Sequence, residues 1–226
     1  MNPHLDFLLS VIYDGTRVDH PAHLADLRKS GLTEATIRAQ KITDVPPGMI
    51  DTLLGFAAPK VTSAYLLPFP DPCGGFLDHI RVKVFPSITT EEGTIKYLQP
   101  RRSGVRIYFP LITLDAVLRS AEPLYIVEGE KKSLAVAQLG LPAVGICGVE
   151  GWHVAGARDL HPDLDDVGFR GRVVNVVPDA DVHSNPAVHR AVHRLGDALA
   201  TRGAVGKLVM VPAGYKGIDD YLAATA

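Results

Sequence analysis

Two clusters of carboxylates close two apolar runs in this chain. Val173-Val174-Asn175-Val176-Val177 leads through Pro178 into Asp179-Ala180-Asp181, and Leu124-Tyr125-Ile126-Val127 leads into Glu128-Gly129-Glu130. Continuous β-branched and apolar runs read as strands buried on both faces. Side chains at i and i+2 of a strand share a face, so Asp179 and Asp181 are expected to converge, with Glu128 reaching them from an adjacent strand. Two carboxylates about 5 Å apart repel by roughly 3 kcal/mol at an effective dielectric of about 20. A divalent cation removes that cost, and an all-oxygen donor set selects Mg2+ or Mn2+ over zinc. Phosphoryl transfer is the chemistry that such a site serves. Acidic residues after a strand also act as turn formers and helix caps, and it is their coincidence at two strand ends that favours the metal.

The elements that must hold these groups follow from periodicity. From residue 123 onward strands and helices alternate. PLYIVEGE is a strand, and KKSLAVAQLG is a helix closed near Gly140, with Pro142 beyond. PAVGICG and GRVVNVVPDAD are further strands. Asn185-Pro186 supplies a cap and a first-turn proline for a helix over 186–201, whose stripe Val188, Val192, Leu195 and Leu199 faces the core. KLVMVPAG reads as a fourth strand and GIDDYLAATA as a last helix. This alternation predicts an α/β domain over residues 116–226, a parallel sheet flanked by helices, with strand ends that face the ligand. Residues 1–115 read as a mixed α+β module. Two short helices between 17 and 43 precede an antiparallel strand set, TSAYLLPFP, FLDHIRVKVFP and IKYLQP, with turns at DPCGG and EEG. Leu111 to Ser120 reads as a short helix and hinge.

Composition bounds the rest. The chain has 226 residues, 46% hydrophobic and 21% charged, and a net charge of −2, which excludes a strongly basic whole-protein field. Any nucleic-acid contact must come from a local patch. Residues 81–106 supply one: Arg81, Lys83, Lys96, Arg101, Arg102 and Arg106 stand against Glu91 and Glu92, a local excess of +4. With Tyr97, Tyr108 and Phe109 interleaved, the segment suits a single strand or a triphosphate, guanidiniums for phosphate and rings for bases. A solvated hairpin face is the alternative. The two cysteines, Cys73 and Cys147, form no CxxC, which argues against a zinc ribbon in these residues and fits a reducing cytoplasm. No GxxxxGK[ST] loop is present. MNPHLDFLLSVIYDG has no early Lys or Arg and too short an apolar run for a signal peptide or a membrane span, so a cytoplasmic protein without membrane contact is expected.

Further residues stand near the acidic clusters. Lys131 and Lys132 open a helix, where cations oppose the dipole; they suit a phosphate partner or pairing with Glu128 or Glu130. Lys216 precedes Asp219 and Asp220, which, like Glu130, would extend the metal site with a second ion or support it from behind, or cap the last helix. His189 and His193 lie four apart beside Arg190 and Arg194 and read as a solvated basic face. Trp152 reads as core or hinge packing, with base stacking as the alternative.

Together these motifs resemble the Toprim domain of bacterial-type (DnaG-like) primases, type IA and II topoisomerases and some nucleases. The carriers are Glu128-Gly129 after an apolar strand, Asp179-x-Asp181 after another, and KGIDDYL at 216–222. The primase branch is favoured by HLADLRKSGLTEATI, by YLLPFPDPCGGFLDHIRVKVF and by Lys96-Tyr97 in IKYLQP. EGEKK, a Gly-rich segment ending in Trp152 and KGxDDYL are similar to a Toprim-containing family of unknown function found in plasmid and phage replication proteins. The resemblance spans about residues 20–222. It implies Glu128 in acid–base chemistry or on a metal, Mg2+ or Mn2+ on Asp179 and Asp181, and nucleotide or template held by Lys96, Tyr97, Arg101, Arg102, Arg106, Lys131, Lys132 and Lys216. The implied activity is primer synthesis on single-stranded DNA from nucleoside triphosphates, beside a separate helicase or replication protein. Two alternatives remain: a Toprim nuclease using the same acids, and a DNA-binding accessory protein without catalysis.

Overall fold

The computed structural model describes Leu9, residues 17–91 and residues 93–225. The reading of the N-terminal fifteen residues, Leu9 apart, lies outside them. Among the described residues no helix is long and apolar enough to cross a membrane. The chain divides into two compact units, residues 1–26 with 37–104, and residues 27–36 with 105–226. Helices α1 (Pro21–Lys29) and α2 (Glu34–Ala39) carry the chain across the division.

The first unit is built on an antiparallel sheet of order β1-β2-β3-β4, with β1 Thr43–Val45, β2 Ser63–Pro70, β3 Phe76–Thr90 and β4 Gly93–Leu98. Sequence periodicity marks β2 to β4; the three-residue β1 is too short to carry a pattern and is found only through its pairing, Thr43 opposite Leu66. The β2–β3 reversal forms where Asp71 accepts from Cys73 N–H at 2.8 Å and Gly74 and Gly75 take positive φ. Leu66, Ile80, Val82 and Val84 close a core with Ile50, Leu53 and Leu54 of α3 (Ile50–Leu54). His23, 1% exposed, ties the start of α1 to this sheet: its Nδ1 lies 2.5 Å from Asp44 Oδ1 and its Nε2 3.0 Å from Ser63 Oγ. Burial pushes its pKa down, against the pull of Asp44.

The second unit is a parallel sheet of order β6-β5-β7-β8, comprising β5 Leu124–Glu128, β6 Ala143–Ile146, β7 Val173–Val177 and β8 Val205–Leu208. A short helix α4 (Leu114–Arg119) precedes it. Helix α5 (Glu130–Ala137) joins β5 to β6, α6 (Pro186–Thr201) joins β7 to β8, and α7 (Ile218–Thr225) ends the unit. The alternation of strand side chains sorts the two faces. Ile126 and Val176 pack with Leu195, Leu199 and Trp152 in one cluster; Val127 and Val177 pack with Val136, Ile218 and Leu222 in another. This is the mixed α/β fold that the strand–helix alternation predicts. Asn185 caps α6 by accepting from Ala187 N–H at 3.0 Å, as expected.

Three expectations are corrected. The last strand lies at Val205–Leu208 and not over 207–214, because its register is set by β7, with Val173 opposite Val205 and Val176 opposite Leu208. Tyr108 and Phe109 are 1% and 0% exposed. They belong to the core of the α/β unit, where Tyr108 bridges Gly145, and they offer no ring to a base. Asp179 and Asp181 do not share a strand face, since β7 stops at Val177 and Pro178 has no N–H to continue the ladder.

Candidate active site and nucleic-acid interface

β5 and β7 are hydrogen-bonded neighbours with Val127 opposite Val177, so Glu128 and Pro178–Asp179 leave the sheet at one level. Gly129 turns the chain out of β5 at φ +102°, a conformation that side chains resist, and α5 begins at once. Lys132 therefore sits in the first turn of α5, close to Glu128 in space. Beyond Pro178, Asp179 stands just before a 3-10 turn over Ala180–His183, with no capping bond from its side chain. Ala180 N–H donates to the carbonyl of Lys216 at 2.9 Å and brings the KGIDD segment up to Asp179.

A compact charge cluster results. Lys132 Nζ donates to both carboxylate oxygens of Asp179, at 2.6 Å for Oδ2. A Cβ on Gly217 would sit 2.6 Å from Lys132 Cε, 2.9 Å from Asp219 Oδ1 and 3.2 Å from Asp179 Oδ1. The bare glycine thus lets two carboxylates and a lysine stem pack close against its backbone. Asp219 is 7% exposed, and its Oδ1 has no hydrogen-bond partner. Burial raises the Glu128 pKa, and the charges of Asp179 and Asp181 add to it; Lys132 and the Asp179 amide oppose the rise. Burial also raises that of Asp179, offset by Lys132 and Lys216.

The remaining expected residues surround this centre. Asp181 is exposed on the 3-10 turn and acts on Glu128 and Asp179 through its charge. Asp220 is half-buried one position beyond Asp219, Glu130 is buried in the first turn of α5, Lys131 is half-buried and Lys216 is exposed.

Whether these groups suit a divalent cation is a matter of donors. Among the described residues no three His, Cys, Asp or Glu side chains stand arranged to grip a metal. Yet Asp179 and Asp219 both bring an oxygen to Gly217, that of Asp219 buried and unpartnered, and both are the hard donors that Mg2+ and Mn2+ take. The donor set fits such an ion once the Lys132 ammonium no longer holds Asp179.

In the first unit, β3 and β4 bring Lys83 opposite Tyr97. The Arg81 guanidinium lies 5.0 Å from the Tyr97 ring centroid, and Lys83, 5% exposed, lies over Phe85 at 4.6 Å. Lys96, Arg101 and Arg102 are exposed, with Arg101 5.4 Å from the Phe56 ring and Arg102 at φ +63°. Arg106 belongs to the other unit, where it forms a two-pronged pair with Asp163, 2.7 Å for Nη2 to Oδ1. Asp163, which sequence reasoning did not single out, also accepts from Ile107 N–H at 3.0 Å. Nothing in its local sequence marks it, because its Arg106 and Ile107 partners lie more than fifty residues away.

Comparison with known proteins bears on the fold. The model for a domain of unknown function (DUF3854) matches residues 115–226. No curated protein sequence matches the chain. Among solved structures, the catalytic core of DnaG is 19% identical, with a TM-score of 0.65 over 98% of this chain and 74% of that one. A DnaG primase catalytic domain bound to ssDNA is 19% identical, with a TM-score of 0.60 over 99% and 79%. The Aquifex aeolicus primase, solved with its zinc-binding and RNA polymerase domains, is 13% identical, with a TM-score of 0.66 over 96% and 56%. At these identities the likeness is one of fold: the chain has the α/β fold of bacterial primase catalytic cores.

Proposed function

We propose that the chain is a primase-type nucleotidyl transferase that makes short primers on single-stranded DNA. The observation that carries this reading is that Glu128 and Asp179 leave the carboxyl ends of two adjacent parallel strands and that Asp219, from the start of α7, meets Asp179 at Gly217. Likeness in fold to primase cores over nearly the whole chain supports it. Asp179 and Asp219 would hold Mg2+ or Mn2+, with Asp181 adding negative charge and Asp220 and Glu130 behind them. Such an ion supplies charge neutralisation for a triphosphate. The Glu128 carboxylate, its proton affinity raised by burial and by its acidic neighbours, accepts the proton of the attacking hydroxyl. Lys131, Lys132 and Lys216 meet phosphate oxygens. Lys96, Arg101 and Arg102 bind the template backbone, and Tyr97 offers a ring edge beside Arg81. The resemblance of its motifs supports plasmid or phage replication as the setting, beside a separate helicase.

The test is incubation with single-stranded template, ribonucleotides and Mg2+ or Mn2+, with products resolved on a denaturing gel. New short oligomers that disappear in Asp179→Asn support priming. Shortened template would replace it with the nuclease reading. A second reading, a non-catalytic single-strand-binding protein, is favoured by the lysine that already neutralises Asp179; binding without either product would establish it.

A further inference from the structure

A cation already stands in the acidic cluster. Lys132 gives its ammonium to both oxygens of Asp179, and the two side chains are only 19% and 13% exposed. Its stem packs against the bare backbone of Gly217, where a Cβ would stand only 2.6 Å from Lys132 Cε. Against the same glycine lies Asp219 Oδ1, buried and without a hydrogen-bond partner. A lysine has three donors, and the hydrogen bonds that it makes here go to Asp179, not to Asp219. A buried carboxylate oxygen left without a donor is costly, and it sits beside the oxygen that Lys132 occupies.

The geometry points to Lys132 as a resident countercation that competes with a divalent ion for Asp179 and so sets the affinity of the cluster for metal. The inference rests on the metal-site reading given above. In the resting protein the lysine satisfies Asp179 and leaves Asp219 waiting. An ion that enters between Asp179 and Asp219 satisfies both carboxylates, and must first displace the ammonium, because a positive charge at bonding distance from Asp179 opposes any second cation there. The site therefore discriminates against weakly attracted ions and takes up metal only as Lys132 finds another anion, for which a phosphate is the suitable partner. A lysine that is merely structural makes the opposite prediction: its removal would leave metal affinity unchanged or lower it.

The experiment is calorimetric titration of the full chain with MnCl2, comparing wild type, Lys132→Met, Lys132→Gln, Lys132→Arg and Asp219→Asn. The expected result is Mn2+ binding at least about tenfold tighter in Lys132→Met and Lys132→Gln, the scale set by removing a unit charge beside a divalent ion in a partly buried site. Lys132→Arg stays near wild type, and Asp219→Asn weakens binding. The Mn2+-dependent rise in melting temperature follows the same order, which gives a second readout in any variant with a lowered melting temperature. Equal or weaker Mn2+ binding in both uncharged variants, with wild type still binding, overturns the role of Lys132 and leaves the metal site intact. No uptake of Mn2+ by any folded variant overturns both the role and the metal-site reading.

Discussion

Asp179 and Asp219 come from strand end and helix start, forty residues apart, yet their Oδ1 atoms lie 3.2 and 2.9 Å from one point above Gly217. The absence of a side chain at 217 makes that approach possible, and Lys132 fills what is left.

Gly217→Ala tests this packing directly. Its new Cβ would meet Lys132 Cε at 2.6 Å, a contact that the flexible lysine end relieves by moving. Stability is expected to fall by about 1–3 kcal/mol, because the methyl over-packs a buried position and pushes Lys132 from Asp179. Primer synthesis is expected to fall at least about tenfold, because the displaced lysine and carboxylates lose their arrangement. Thermal denaturation and the gel assay separate the two effects.

Glu128→Gln should stabilise the metal-free protein at neutral pH while abolishing primer synthesis. Burial and the charges of Asp179 and Asp181 raise the Glu128 pKa. A carboxyl whose folded pKa lies above its unfolded value favours the fold at low pH and loses that contribution as pH rises through the folded pKa. The melting temperature of the variant is thus expected to exceed that of wild type at pH 8, and the gap should close below about pH 4. Scanning calorimetry in the presence of a chelator checks it.

Asp163→Asn carries the opposite sign. Burial opposes ionisation of Asp163, but hydrogen bonds from His161, Arg106 and the Ile107 amide outweigh it and hold the carboxyl well below its ordinary range. A depressed pKa contributes stability above the unfolded value and loses it as pH falls. The variant is expected to lose about 2 kcal/mol at neutral pH, and the difference from wild type should shrink below about pH 4. Urea unfolding at pH 7 and pH 3 is the measurement.

Lys96→Ala, Arg101→Ala and Arg102→Ala should each weaken binding of a single-stranded oligonucleotide and reduce the slope of log K against log salt by about 0.7, one phosphate contact apiece. Arg106→Ala is expected to act instead through stability, since its guanidinium is held by Asp163. Fluorescence anisotropy at several salt concentrations distinguishes the two behaviours.

What the amino-acid order determines alone is what repeats locally. The stripe Val188, Val192, Leu195 and Leu199 and the Asn185 cap specify α6; the apolar runs before Glu128 and Asp179 specify β5 and β7, and with them the sheet edge where the acids emerge. Tertiary structure decides everything that depends on a distant partner. Pro178 ends β7 and Asp181 stands exposed on the 3-10 turn beyond, while Asp219, from the start of α7, meets Asp179 at Gly217. Tyr108 and Phe109 look like binding rings in a basic segment but are taken into the core, and Arg106 is claimed by Asp163. The choice of Lys132 as the partner of Asp179 is likewise set by the parallel register of β5 and β7 and by the turn that brings Gly217 alongside. Side-chain periodicity is a property of neighbours in the chain, whereas the pairing of charges is settled by which backbones pack close enough to exclude water between them.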